Sequence, residues 1–140
     1  MANTQPDSLS SGDEGPLVLI VEDEQPIAEA LRFIVEDKGY RTIMGRDGLE
    51  GLELAQKHDP DIIITDLMMP RLDGATLIRT VRAAAAQAGR RAPLIVLTSA
   101  IDSLSVITSS APDAFAPKPF DLDQIEQLLD HFVSALYRRQ

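Results

Sequence analysis

Apolar runs and segments with helical spacing alternate along this chain. Leu17-Val18-Leu19-Ile20-Val21, Ile62-Ile63-Ile64-Thr65 and Leu94-Ile95-Val96-Leu97 are almost continuously apolar. Runs of strand length without polar alternation are strands covered on both faces. Two weaker strand-like pieces are Tyr40 to Met44 and the stretch around Ala114-Phe115-Ala116. The first helix follows Gln25-Pro26, places Ile27, Leu31, Ile34 and Val35 on one face, and ends at Gly39. The second starts after Asp47, presents Leu49, Leu52 and Ala55, and is broken by Asp59-Pro60-Asp61. The third opens at Asp73-Gly74 with Leu77, Ile78, Val81, Ala84 and Ala85 inward; Gly89 closes it and Pro93 starts the next strand. The last is capped by Asp121 and carries the stripe Leu122, Ile125, Leu128, Leu129, Phe132, Val133 and Leu136, with Arg138 and Arg139 at its end, where the helix dipole favours cations. Between the last two strands, Ile101 to Ser110 is rich in Ser, Thr and β-branched residues, which are mediocre helix formers. A short or poorly ordered helix is expected there. The alternation predicts an α/β fold with a parallel central sheet.

The length of 140 residues suits one domain with a core of its own. Residues 1–15 are mostly Ser, Gly, Asp, Asn and Pro and read as a disordered tail; 16–140 form the domain. A net charge of −9 opposes direct binding of nucleic acid or of an anionic membrane. Cysteine is absent, which excludes disulfides, thiolate catalysis and cysteine-held metals. The first residues have neither a basic start nor an apolar core, so no signal peptide is read, and no apolar stretch reaches membrane-spanning length. A cytoplasmic location is the expectation.

Candidate chemistry sits where the apolar runs stop. The first run ends at Glu22-Asp23-Glu24, the third at Asp66, the fourth at Thr98-Ser99, and the last at Lys118-Pro119. In a parallel sheet these ends meet at the edge where such folds bind ligands. Glu22, Asp23 and Asp66 against Lys118 leave an excess of negative charge, which either a proton or a divalent cation must relieve. Oxygen ligands suit Mg²⁺, or Mn²⁺, and not zinc. A carboxylate flanked by metal, ammonium and hydroxyl is equipped for phosphoryl transfer through an acyl phosphate. Asp66, alone at a strand end, is the candidate acceptor, with the adjacent Glu22 and Asp23 as metal ligands. His58 and His131 lie in helices without a nearby partner and are read as structural or surface residues. The Met68-Met69 pair reads as loop packing.

Together these fragments resemble the receiver domain of two-component response regulators. Pro60-Asp61-Ile62-Ile63-Ile64-Thr65-Asp66-Leu67-Met68-Met69-Pro70 with Asp73-Gly74 is similar to that family's phosphoacceptor strand and loop. Val21-Glu22-Asp23-Glu24 resembles its acidic pair, Leu97-Thr98-Ser99 its switch hydroxyl, and Lys118-Pro119-Phe120 its lysine motif. The resemblance spans residues 16 to 137. It implies a flavodoxin-like (βα)5 doubly wound fold with strand order 2-1-3-4-5. It further implies that Asp66 takes a phosphoryl group from a phosphohistidine on a sensor histidine kinase or phosphotransfer protein. Mg²⁺ would sit on Asp23, Asp66 and the backbone carbonyl of Met68, with Glu22 reaching it through water. Lys118 would contact the phosphoryl group through a segment with a cis bond to Pro119. Thr98 would move toward that group and Phe115 turn inward, altering the face made by the fourth helix, last strand and last helix for a downstream target or a weak homodimer.

The chain departs from the family pattern in three places. The interval from Thr98 to Lys118 is slightly short, Ala111-Pro112 stands before the last strand, and Glu22 replaces the aspartate often found first in the acidic pair. The first two fall around the fourth helix and so bear on the signalling face.

Other readings of the same residues remain. An aspartyl-phosphate hydrolase uses a second aspartate two positions after the nucleophile, where this chain has Met68. A flavodoxin-like cofactor binder needs a Ser/Thr/Gly phosphate loop where Glu22-Asp23-Glu24 would repel the phosphate. A phosphorylation-independent interaction module is a further alternative. With only Tyr137 to Gln140 after the last helical stripe, a stand-alone receiver is expected, acting by protein contact or phosphate relay and not as a turnover enzyme.

Overall fold

The structure, a computed structural model, describes residues 15–100 and 104–139. Five strands and five helices alternate: β1 Leu17–Val21, α1 Gln25–Asp37, β2 Arg41–Gly45, α2 Gly48–His58, β3 Ile62–Asp66, α3 Gly74–Gln87, β4 Leu94–Ser99, α4 Leu104–Ser110, β5 Ala114–Pro117 and α5 Leu122–Arg139. The strands pair in parallel in the order β2-β1-β3-β4-β5. This is the predicted flavodoxin-like order. Of the expected tail, residues 1–14 lie outside the described residues; the Gly15 carbonyl accepts a 3.4 Å hydrogen bond from Arg41. The weak helix expected over Ile101 to Ser110 is a seven-residue α4. Its predicted first residues, 101–103, lie outside the described part.

Strand alternation divides the interior in two. Val18, Ile20, Ile62, Ile64 and Val96 pack with Leu31, Ile34 and Val35 of α1 and Ile125, Leu129 and Phe132 of α5. Leu19, Val21, Ile63, Ile95 and Leu97 pack with Ala55 of α2 and Leu77, Ile78 and Val81 of α3. Each central strand is buried along its length, which explains why its sequence is apolar without alternation.

The helix starts follow their chemistry. Proline occupies the first turn of α1. Asp47 Oδ1 accepts from the Glu50 amide at 2.8 Å, and Asp73 Oδ1 from the Thr76 amide at 2.8 Å. Asp121 Oδ1 caps α5 by accepting from the Asp123 amide at 3.1 Å.

Inward faces differ in part from expectation in three helices. In α2 the fully buried positions are Gly48, Gly51 and Ala55, while Leu49 and Leu52 are half-buried. The reason is close approach. A Cβ on Gly51 would stand 2.8 Å from a Val21 methyl, so the backbone lies on the sheet and the leucines flank it. In α5, Leu122 is 45% exposed; Phe120, just before the helix, already packs against the adjoining cluster. In α3, Ala84 is half-buried beside the buried Ala85.

Candidate functional site

The parallel register brings the predicted residues to one edge. Val21 pairs with Thr65, Asp66 with Thr98, and Thr98 with Ala116, so the ends of β1, β3, β4 and β5 lie side by side. The Lys118 amide donates to the Ser99 carbonyl at 2.8 Å, extending the β4–β5 pairing to the lysine itself. The Lys118-Pro119 bond is cis, as expected from the resemblance.

Lys118 Nζ lies 3.1 Å from Asp66 Oδ2, to which it donates a hydrogen bond, and 2.8 Å from Glu22 Oε1. The ammonium and both carboxylates are at most 9% exposed. Glu24, which is not among the predicted site residues, approaches the same ammonium at 3.7 Å from solvent. Its position two residues after Glu22, in the turn leading into α1, was the available signal. Glu22 Oε2 accepts from the Glu24 amide at 3.1 Å. Glu22 Oε1 is buried and pairs with the Lys118 ammonium at 2.8 Å.

Asp23 is exposed at the rim, and one carboxylate oxygen each from Glu22, Asp23 and Asp66 lie within 4.8 Å of one another. Burial raises the Asp66 carboxyl above its ordinary value, and the Lys118 contacts only partly offset this. Glu22 is raised for the same reason, again in spite of Lys118. Burial alone would lower Lys118, but Glu22 and then Asp66 outweigh it and hold the ammonium above its usual range. The site therefore keeps more negative charge at close range than one lysine balances. Three carboxylates grouped around one ammonium, with an oxygen from each within 4.8 Å of the others, fit a hard divalent cation such as Mg²⁺.

The remaining predicted residues surround this cluster. Thr98 is buried, and its hydroxyl donates a long 3.4 Å hydrogen bond to the Thr65 carbonyl. Met68 lies in the bend after β3 with its side chain 57% exposed. Phe115 is not part of the cluster. It is half-buried on β5, in register with Leu97, and packs against the cluster on the α2–α3 side of the sheet, as Ile107 of α4 also does.

The loop after β3 is tightly held. The Leu67 amide donates to the Thr98 carbonyl and the Gly74 amide to the Leu67 carbonyl, each at 2.9 Å. A Cβ on Gly74 would collide with the Asp66 carbonyl, which explains the glycine after Asp73.

Comparison with known proteins agrees with this geometry. The response regulator receiver domain family matches residues 18–130. Response regulator MprA of Mycobacterium sp. (strain KMS) is 36% identical over 111 residues, covering 77% of this chain and 46% of that protein. MprA of Mycobacterium leprae gives the same identity and coverage. The chain thus spans less than half the length of these curated relatives. Among solved structures, the receiver domain of the Francisella response regulator 1452 superposes with a TM-score of 0.74 at 28% identity, covering 87% of this chain and 99% of that one. The chemotaxis response regulator CheY4 of Vibrio cholerae gives 0.73 at 25% identity, covering 84% and 98%. The chain belongs to the response regulator receiver domain family.

Proposed function

We propose that this chain is a phosphorylation-switched receiver in which Asp66 accepts a phosphoryl group from a phosphohistidine. One observation carries the reading: a buried ammonium bridges Asp66 and Glu22 at the sheet edge, with Asp23 beside them. An Asp66 carboxylate oxygen attacks phosphorus, the P–N bond to the donor imidazole breaks, and a mixed carboxylic–phosphoric anhydride forms. Lys118, already at hydrogen-bond distance from Asp66, follows the charge onto the phosphoryl oxygens. The Thr98 hydroxyl leaves the Thr65 carbonyl and donates to one of those oxygens. Glu22, Asp23, Asp66 and the Met68 backbone carbonyl would hold Mg²⁺, which would supply further charge neutralisation.

Met68 offers no acid–base group two residues after Asp66, so the chain holds its phosphoryl group and does not act as a turnover hydrolase. The donor is a sensor histidine kinase or histidine phosphotransfer protein in the cytoplasm. The readout is a downstream protein, or a second copy, meeting the face of α4, β5 and α5, with Phe115 as the residue that responds. Among the described residues no helix is long and apolar enough to cross a membrane. The reading is tested by intact mass after incubation with acetyl phosphate. One added phosphoryl group that requires Mg²⁺ and is lost in Asp66→Asn is expected. Labelling that survives Asp66→Asn would overturn the assignment.

A further inference from the structure

The loop that follows Asp66 is gripped from outside the cluster. Its inner end is tied to Thr98 and closed on itself at Leu67 and Gly74. Its outer end, Arg71-Leu72, lies on the start of α2. Arg71 Nη1 donates to Asp47 Oδ2 at 3.3 Å, while the other oxygen of that carboxylate caps α2 through the Glu50 amide. The Asp47 carboxyl is held below its ordinary value, first by the Glu50 amide and then by Arg71. Next to it, the Leu72 carbonyl lies so close to Gly48 that a Cβ there would overlap it. Arg71 adopts φ +73, a left-handed conformation unusual for a residue with a Cβ. The Leu72 amide closes the turn around it by donating to the Pro70 carbonyl at 2.8 Å.

We propose that Asp47 and Arg71 are positioning residues for the metal site: their ion pair, with the Gly48–Leu72 contact, fixes the loop that presents the Met68 carbonyl. The inference rests on the receiver reading above, since only that reading makes the loop backbone a metal ligand. Met68 lies between the two anchored ends, three residues before Arg71 and one after Leu67. Released at its outer end, the loop retains its tie to Thr98 but loses the restraint that sets the direction of the Met68 carbonyl. Neither Asp47 nor Arg71 needs to touch the cation.

The test is Mg²⁺ affinity of the whole chain by titration calorimetry, without phosphodonor, beside urea denaturation in chelator. Asp47→Asn keeps the helix cap, because asparagine caps as well as aspartate, and removes the charge facing Arg71. Arg71→Gln removes the other partner. Each is expected to weaken Mg²⁺ binding by about two- to five-fold, the range open to a partly exposed ion pair. The double variant should lose no more than either single, and Arg71→Lys should recover most of the loss. Gly48→Ala, which pushes the Leu72 carbonyl away, should weaken binding further than either charge variant. Unchanged affinity in both charge variants, or losses that simply add, would overturn the proposal, as would losses that only track urea midpoints. Asp23→Asn is the control. If it abolishes binding while Asp47→Asn and Arg71→Gln do nothing, this inference fails and the metal site stands. If the unaltered chain binds no Mg²⁺, both fail.

Discussion

Lys118 is 9% exposed and faces two carboxylates that burial has pushed above their ordinary values. Its removal leaves Asp66 and Glu22 without the cation that both contact. Lys118→Met is expected to cost about 3 kcal/mol near neutral pH in chelator, the lower end for breaking a buried pair. The deficit should shrink as pH falls and the carboxyls take up protons, and urea denaturation at several pH values reads this directly. An equal deficit at every pH would mean the loss is packing. Asp66→Asn tests the other partner with the opposite sign. A carboxyl raised on folding binds its proton more tightly in the folded chain. Stability therefore falls as pH rises from the ordinary 3.8 through the raised folded value. Metal-free Asp66→Asn should gain stability relative to the parent across that window, and a loss growing with pH would contradict the account. Asp66 and Lys118 were legible in the sequence because each ends an apolar run. Glu24 was signalled only by its place in the acidic run, and the second task of Asp47 not at all, because which oxygen faces which cation depends on loop geometry that spacing does not encode.

Elements set what these residues can reach. The β3–α3 loop turns back so sharply that Gly74 sits against the Asp66 carbonyl. Gly74→Ala is expected to destabilise by about 1–3 kcal/mol, the usual cost of overpacking, measurable as a lowered urea midpoint. α4 is seven residues, too short to hold itself. Its C-terminal end is held from α3: Arg82 donates to the Ser110 carbonyl at 3.1 Å and pairs with Asp113 at 3.4 Å. Asp113 in turn accepts from the Ile95 amide at 2.8 Å. Arg82→Ala should speed amide exchange at Ala111, whose N–H donates to the Ile107 carbonyl, by about five- to ten-fold, the equivalent of about 1 kcal/mol. Unchanged exchange would show that packing of Ile107 alone holds the helix. The composition of this stretch announced a short helix, but the arginine that fastens it lies 28 residues away, and no local rule could supply it. The inward face of α2 was legible only in part, with Ala55 buried and Leu52 packed against the core, for a related reason. Leu49 and Leu52 follow helical spacing, yet the backbone contact at Gly51 turns the small residues to the sheet.

At the scale of the molecule, the sheet gathers the acids and the lysine at one edge, and in the proposed switch β5 carries the link outward. Thr98 pairs with Ala116 in the ladder, while Phe115, the adjoining residue, packs against the same core cluster as Ile107 of α4. A phosphoryl group adds about −1.5 to −2 charges. Moving a population from 1:99 to 99:1 requires about 5.5 kcal/mol of differential stabilisation. A charged hydrogen bond from Thr98 supplies about 1.5–3 kcal/mol, so the lysine contact must furnish much of the rest. Thr98→Val should therefore still be labelled on Asp66 but show a reduced change in amide exchange across α4 and β5. Full exchange changes in that variant would remove Thr98 from the switch. The strand order and the site edge were readable because parallel strands must pool their C-terminal ends. The resting hydrogen bond from Thr98 to the Thr65 carbonyl was not, since a hydroxyl rotor leaves no trace in residue spacing.

The central claim is that Asp66 carries the phosphoryl group. Borohydride cleaves a carboxylic–phosphoric anhydride and leaves the aspartate as homoserine, so treatment after labelling with acetyl phosphate and Mg²⁺ marks the acceptor permanently. Peptide mass spectrometry is predicted to find homoserine at position 66, dependent on Mg²⁺. Homoserine at Asp23 or another aspartate, with Asp66 unmodified, would contradict the account.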